Sequence, residues 1–310
     1  MVPVFGLFPI WLQPLGPVLL DVAALLAAMV IVVGAMRRWT PRVAAVAHTT
    51  ARDAVTQPLF YVLLSIGIAA LLIFPFIPYN TFGEDVKMLK AEGLTLIKLL
   101  AVILALWTAS VSISEEIEGR TALTLLSKPL RRWQLILGKF LGILGPVALL
   151  FIILGVLFLG SVSYKVVYDA RETSHPDPTV LDCQEEMQQI VPGLILSFME
   201  TVILVSISVA ISTRLPMLAN LIICASVYVL GHLVSLLASS PMGRFEIVHF
   251  MSLLLAAVLP VLEHFSVEPA ISTGQQVPVL YLIWAGVYAL LYSMVAMLLA
   301  LLLFEDRDLA

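Results

Sequence analysis

The chain has 310 residues, of which 61% are hydrophobic and only 12% are charged, and its mean hydropathy is +1.04. Soluble domains carry about 25% charged residues, so the composition excludes a water-soluble globular enzyme. The net charge of −4 is small and the basic residues form only short clusters, which excludes a nucleic-acid-binding face.

Seven apolar runs are long enough to cross a bilayer as helices, which takes about 20 residues each. An eighth run, 247–262, is too short, is flanked by Glu246 and Glu263 and contains Pro260, all of which are typical of a re-entrant hairpin. The pattern predicts an all-α polytopic membrane protein, and composition alone leaves seven or eight crossings open. The seven runs cover 16–36, 58–78, 94–113, 135–160, 190–212, 216–238 and 278–304.

The basic residues predict an orientation. No Lys or Arg precedes Gly16, so the first run lacks the positive region of a cleavable signal peptide and is interpreted as a true span. The positive-inside rule places the arginines that follow this run in the cytoplasm and the N-terminus outside. By alternation the basic stretch 120–139 is cytoplasmic and the acidic loop 161–189 is outside. The C-terminus is cytoplasmic if 247–262 does not cross.

Motifs for nucleotide hydrolysis and for common hydrolases are absent from the sequence. Gly138-Lys139 is not part of a P-loop, because Trp133 stands at the position of the first glycine and Phe140 at that of the Ser or Thr. There is no HExxH and no GxSxG. We therefore predict no catalytic residues and no ATP hydrolysis by this chain.

The largest predicted cytoplasmic feature joins the third and fourth runs, with the sequence SEEIEGRTALTLLSKPLRRWQLILGK from Ser114 to Lys139. Ser114 can cap a helix whose acidic residues come first, and Lys128 and Pro129 are typical of its end. Leucines 123, 126 and 130 add an apolar side with helical spacing. The alternative is a solvated loop that only satisfies the positive-inside rule.

This segment resembles the coupling helix of the permease subunits of ABC (ATP-binding cassette) type-2 transporters, which sits on the ATPase subunit. Three further stretches resemble the same family. TTARDAVTQPLFYVLLSIG, from Thr49, is similar to its elbow helix and first core span, and LLYSMVAMLLALLLFEDRDL to its closing span and tail. VLPVLEHF, 258–265, is similar to the proline-acid segment after the family's hairpin and favours seven crossings.

The resemblance implies an ABC type-2 permease-like bundle with an extra N-terminal transmembrane helix at 1–40 and a membrane domain at 41–310. Within that domain it implies an elbow helix at 41–57, a coupling helix at 114–130, an outer loop at 161–189 and a re-entrant hairpin at 243–265. The residues that fall on the coupling helix, and would contact the ATPase, are Glu115, Glu116, Glu118, Gly119, Arg120, Lys128, Pro129, Arg131 and Arg132.

The function implied by the resemblance is that of a permease subunit of an ATP-driven exporter in a bacterial cytoplasmic (inner) membrane. A separate ATPase subunit would bind the ATP, so this chain would carry no cofactor, and a second permease subunit would complete a homodimer or heterodimer. One alternative is a membrane scaffold that recruits an extracytoplasmic partner through the acidic loop. Another is an ion-coupled secondary transporter, for which an inverted repeat is expected.

Polar residues inside the predicted spans are the other candidate site. Glu200 lies in the fifth run, and an acid within a span is by default a functional-site hypothesis. Ser197 and Thr201 share its side of the helix, with Ser208 and Ser212 further along, and hydrogen bonding between helices is the alternative role. Glu200, Ser197 and Thr201 are the pathway candidates. Lys98 is interpreted as a residue near a span end that snorkels towards water.

Three weaker patterns complete the sequence. An apolar stripe at Val43, Ala47, Ala51 and Ala54 predicts a helix lying in the membrane interface. Gly138 and Gly142 form a GxxxG that would allow a close helix approach. No metal site is predicted, because the histidines and their acidic or cysteine neighbours lack tight ligand spacing. These residues are His175, Asp177, Asp182, Cys183, His232, His249 and His264.

Overall fold

The computed structural model describes residues 9–77, 84–118, 131–172, 178–239, 250–251, 254–256, 258–266, 270–271 and 274–305. Within these ranges the chain is helical and contains no strand, which confirms the all-α prediction. The helices are α1 (Leu15–Trp39), α2 (Pro41–Thr56), α3 (Pro58–Ile73), α4 (Asp85–Glu118), α5 (Arg132–Glu172), α6 (Val180–Gln188), α7 (Val191–Ser212), α8 (Met217–Ser239) and α9 (Val279–Glu305). In the described part of the chain, seven helical stretches are long and apolar enough to cross a membrane.

Helix α5 lies at the centre of the bundle. Its middle, residues 140–164, contains no charged residue, and it packs against α2, α3, α4 and α7. One face is fully buried at helical spacing, which is the pattern of a helix with protein neighbours along its length. The residues of this face are Ile143, Val147, Leu150, Leu154 and Phe158.

Helices α4 and α5 are much longer than a membrane is thick. With 34 and 41 residues they extend over about 50 and 60 Å, whereas the hydrocarbon core is about 30 Å thick. One end of the bundle, here called the basic end, carries the arginines at positions 37, 38, 131, 132 and 214. The other, the acidic end, contains the start of α4, the end of α5 and helix α6.

Buried ion pairs hold the acidic end together. Lys165 Nζ lies 2.9 Å from an oxygen of Asp169 and 3.6 Å from one of Asp85, which joins α5 to α4. Lys90 pairs with Glu186 of α6 and donates to Gln189 Oε1 at 2.8 Å. Both lysines are about 1% exposed. Most of the predicted outer loop 161–189 is therefore helical, as the end of α5 and the whole of α6.

Helix α2 packs closely along the start of α5. A Cβ atom on Gly142 would lie 2.6 Å from Thr50 Cβ, and one on Gly138 would lie 2.7 Å from Val46 Cβ. The GxxxG of α5 is thus the contact surface for α2. The predicted apolar stripe of α2 lies on the same contact, since Val43 and Ala54 are each 1% exposed.

Helix α1 lies at the periphery and contacts α2 and α5. None of the most apolar 18-residue window of this stretch is buried within the chain. Its side chains between Leu19 and Val33 therefore face outwards, where a bilayer would cover them.

Candidate functional site

The structure describes the two ends of the predicted coupling segment. Helix α4 continues through Ser114 and ends at Glu118, so Ser114 does not begin a new helix. No Gly or Pro lies between Leu94 and Glu118 to interrupt α4. Glu115, Glu116 and Glu118 are thus in the last turns of α4. Gly119, Arg120, Lys128 and Pro129 lie outside the described residues. At the far end, Arg131 precedes α5 and Arg132 is its first residue.

Both ends of this segment are attached to the bundle by basic side chains. Lys139 of α5, 8% exposed, donates to the backbone oxygen of Ser112 at 3.0 Å and to its hydroxyl at 2.9 Å. Arg132 donates to the carbonyl of Phe304 at 3.4 Å, and its guanidinium lies 5.9 Å from the centre of that ring. The last carbonyls of a helix lack partners within it, so Arg132 satisfies one at the end of α9.

A charged cluster lies in the interior of the bundle, where α4, α7 and α8 meet. Glu200 of α7 is fully buried. One of its oxygens lies 3.5 Å from Lys98 Nζ and the other 3.4 Å from His232 Nε2. The Lys98 side chain is only 12% exposed and its ammonium group turns to the buried carboxylate instead of to water, so the snorkelling interpretation is wrong.

Hydrogen bonding orients the imidazole of His232. Its Nδ1 lies 3.0 Å from the backbone oxygen of Tyr228, one turn earlier in α8. A carbonyl oxygen only accepts, so Nδ1 carries the hydrogen and Nε2 is the nitrogen that faces Glu200. The Tyr228 ring packs on the imidazole with centroids 4.8 Å apart. The ring is therefore held with one defined atom towards the carboxylate.

A half-open cleft reaches this cluster from one side. Lys98, Thr95 and Ser197 give it a polar lining, and Ser266 adds a further hydroxyl. Its remaining walls are apolar and come from α4 and from the segment before α9. Because Lys98 lines the cleft and also contacts Glu200, a single side chain separates the cleft from the buried carboxylate.

Below this cluster, towards the basic end, Asn220 of α8 links three helices. Its amide nitrogen lies 2.7 Å from the hydroxyl of Ser110 in α4, and 2.8 and 2.7 Å from those of Ser208 and Ser212 in α7. All four residues are at most 1% exposed. The hydroxyls of Ser110 and Ser212 donate to backbone oxygens of their own helices, which leaves their lone pairs for the amide.

The hydroxyls of α7 therefore differ in their contacts. Ser208 and Ser212 bond across helices, as the packing interpretation predicts, whereas Thr201 donates to the backbone oxygen of Ser197 within α7. Ser197 and Thr201 are both buried near Glu200. The roles of Asn220 and of His232 as a partner of Glu200 were missed. A polar residue inside an apolar run was the available signal, but its partner depends on how the helices pack.

The described residues contain no group of three or more His, Cys, Asp or Glu side chains that could hold a metal ion. Cys183 and Cys224 are both buried free thiols. Cys183 lies against α5, and Cys224 lies beside Asn220. His175, Asp177 and His249 lie outside the described residues.

Comparison with known proteins gives one family. The model for the family described as ABC-2 family transporter protein matches residues 44–309. The match begins within α2 and includes every later helix, and it leaves α1 outside. No curated protein matches the chain.

Proposed function

The chain belongs to the family of ABC-2 transporter proteins and is a membrane-spanning transport component, and from this premise we propose that it is a permease subunit energised by a separate ATPase subunit. The observation that carries the proposal is the attachment of both ends of the segment between α4 and α5. Lys139 attaches the end of α4 to α5, and Arg132 attaches the start of α5 to the end of α9. A force applied to this segment would therefore reach three helices of the bundle.

In this proposal the ATPase subunit contacts the segment from Glu115 to Arg132 and binds the ATP itself, so the permease needs no cofactor. Closure of the ATPase would push on the ends of α4 and α5, and the rigid helices would carry the movement to the acidic end. A second permease subunit, identical or related, would complete the transport pathway. Ser197, which lines the cleft, and Glu200 and Thr201, about one turn further along α7, are the candidates for lining that pathway.

The proposed orientation has the basic end in the cytoplasm, with the N-terminus outside and the C-terminus inside a bacterial cytoplasmic membrane. The arginines at the end of α1, at the start of α5 and after α7 support this orientation through the positive-inside rule. This orientation brings the coupling segment to the side where ATP is available. Export is the proposed direction.

The test is co-purification of the tagged chain with its ATPase from native membranes. We expect a stoichiometric P-loop ATPase with the wild type, and at least a tenfold loss of it in the double variant Glu116→Lys, Glu118→Lys, because the last turns of α4 would face the partner with the opposite charge. The control is Glu84→Lys, the same kind of charge reversal at a single exposed site at the acidic end of the bundle. The readout is the ATPase-to-permease ratio by mass spectrometry.

Full retention of the ATPase in the double variant would remove Glu116 and Glu118 from the interface. A wild-type complex with outer-face proteins and no ATPase would contradict the permease proposal and favour the scaffold.

A further inference from the structure

The contact between Glu200 and His232 brings two hydrogen-bond acceptors together when the imidazole is neutral. Nδ1 of His232 donates to the Tyr228 carbonyl, so in a neutral imidazole Nε2 is a bare lone pair. That lone pair faces a carboxylate oxygen at 3.4 Å, and two acceptors at this distance repel each other. A single proton on either atom turns the repulsion into attraction.

The charges around Glu200 can be counted helix by helix. Helix α4 contributes Lys98 and α8 contributes His232. The turn before α9 contributes Glu263 as a more distant electrostatic partner, with His264 next to it in the chain. Helix α5 has no charged residue in its middle, and the titratable groups in the first half of α9 are the tyrosines at 281, 288 and 292. One cation and one fully buried anion therefore form the core of the cluster, with the imidazole beside them.

The contacts of Glu200 are also long for charge-assisted hydrogen bonds, which are typically 2.7–2.9 Å. Both contacts join α7 to another helix, Lys98 from α4 and His232 from α8. Separating α4 from α7 would leave a buried carboxylate without its cation. Such a group is costly in an apolar interior, and binding a proton removes the cost.

Protons can reach the cluster through the cleft. Its lining includes the ammonium group of Lys98 and the hydroxyls of Thr95, Ser197 and Ser266, which are suitable partners for water molecules. A water molecule in the cleft would lie beside Lys98, next to the Glu200 carboxylate.

From these contacts we propose that Glu200 and His232 form an intramembrane proton-binding site that holds one shared, exchangeable proton, with Lys98 as the counter-charge that controls its release. The binding equilibrium is simple: one proton from water in the cleft joins the Nε2 and Oε1 pair, and the net charge of the cluster rises by one. Its use in a transport cycle rests on the proposed permease function, because movement of α4 relative to α7 would then drive proton uptake.

The test measures the two groups that share the proton, in the full chain in nanodiscs of zwitterionic lipid. Infrared difference spectra between acidic and alkaline pH follow the carbonyl band of protonated carboxylic acids. Nitrogen NMR of labelled histidine follows the ring of His232, assigned from His232→Gln. We expect both signals to titrate together, and Glu200→Gln to remove the infrared band and move the His232 titration by more than about one pH unit.

Two further variants test the role of Lys98. Lys98→Gln should increase the protonated-acid band at neutral pH at least twofold, because the carboxylate loses its cation. The matched control is Lys87→Gln, an exposed lysine of the same helix that pairs with Glu84, and it should leave both titrations unchanged. Each variant is first checked for folding by the protection of buried Cys224 against alkylation.

The proposal is overturned if the His232 titration is the same in Glu200→Gln as in the wild type, or if Lys98→Gln behaves like Lys87→Gln. Co-purification of the ATPase is scored separately in every variant. An intact ATPase complex without a shared proton would refute only this inference, whereas a shared proton without an ATPase would refute only the permease proposal.

Discussion

Two clusters of polar side chains inside the bundle are joined across helices. In hydrocarbon no water is available for a side chain that lacks a partner, so a buried polar group is stable where the protein supplies one. Glu200 meets this condition with Lys98 and His232, and Asn220 meets it with three serines. The two clusters connect the same three helices, α4, α7 and α8, at different depths.

Asn220 allows a test of this arrangement. Asn220→Leu keeps the volume but removes the amide that joins α8 to α4 and α7, and we expect it to lower the free energy of unfolding by about 1–2 kcal/mol. The measurement is thermal unfolding followed by maleimide reaction of Cys224. Ser226→Ala is the control, since Ser226 is exposed and bonds only within its own helix. Equal unfolding temperatures for the two variants would contradict the expected contribution.

At the scale of helices, small residues determine how closely two helices approach. The contact of α2 with α5 depends on Gly138 and Gly142, whose missing side chains leave room for Val46 and Thr50. The apolar stripe predicted from the sequence of α2 therefore packs against α5. The same stripe is expected for a helix that lies in a membrane interface, so the pattern alone does not distinguish the two.

Gly142→Ala tests the contact of α2 with α5. Alanine is the better helix former, but its Cβ would lie 2.6 Å from Thr50 Cβ and 2.7 Å from the backbone oxygen of Ala47. We expect a net loss of about 1–3 kcal/mol in the free energy of unfolding, as for other overpacked sites. Gly34→Ala is the matched control, because nothing lies within 4 Å of its Cβ, and it should be neutral or slightly stabilising. A stable Gly142→Ala protein would show that α2 can shift.

At the scale of the whole molecule, side-chain contacts at both ends of the bundle join its helices, so we expect these helices to move together. The ion pairs of Lys90 and Lys165 join α4, α5 and α6 at the acidic end. Lys139 and Arg132 join α4, α5 and α9 at the basic end. Movement started at one end of α4 or α5 is thus expected to reach the other through helices that extend beyond the membrane on both sides.

The orientation of the whole molecule is tested by accessibility. Single cysteines replace exposed Glu172 at the acidic end and exposed Arg38 at the basic end. We expect a membrane-impermeant maleimide to label Glu172→Cys in intact cells and Arg38→Cys only after permeabilisation. The unsubstituted chain, whose two cysteines are buried, gives the background. The reverse labelling pattern would invert the proposed orientation and place the coupling segment outside.

The sequence by itself determined the all-α membrane class, the approximate positions of seven spans and the family. These properties follow from local quantities, because the hydropathy of about 20 consecutive residues decides whether a segment enters the bilayer. The family resemblance likewise came from contiguous stretches, and the match over 44–309 confirms it.

The tertiary structure decided where helices end and what their polar residues contact. Helices α4 and α5 extend past the apolar runs because charged residues such as Lys90 and Lys165 find partners on neighbouring helices. Lys98, assigned to a span end from its position, lies beside Glu200 for the same reason. These partners are far apart in sequence, and only the packing of the bundle brings them within reach of one another.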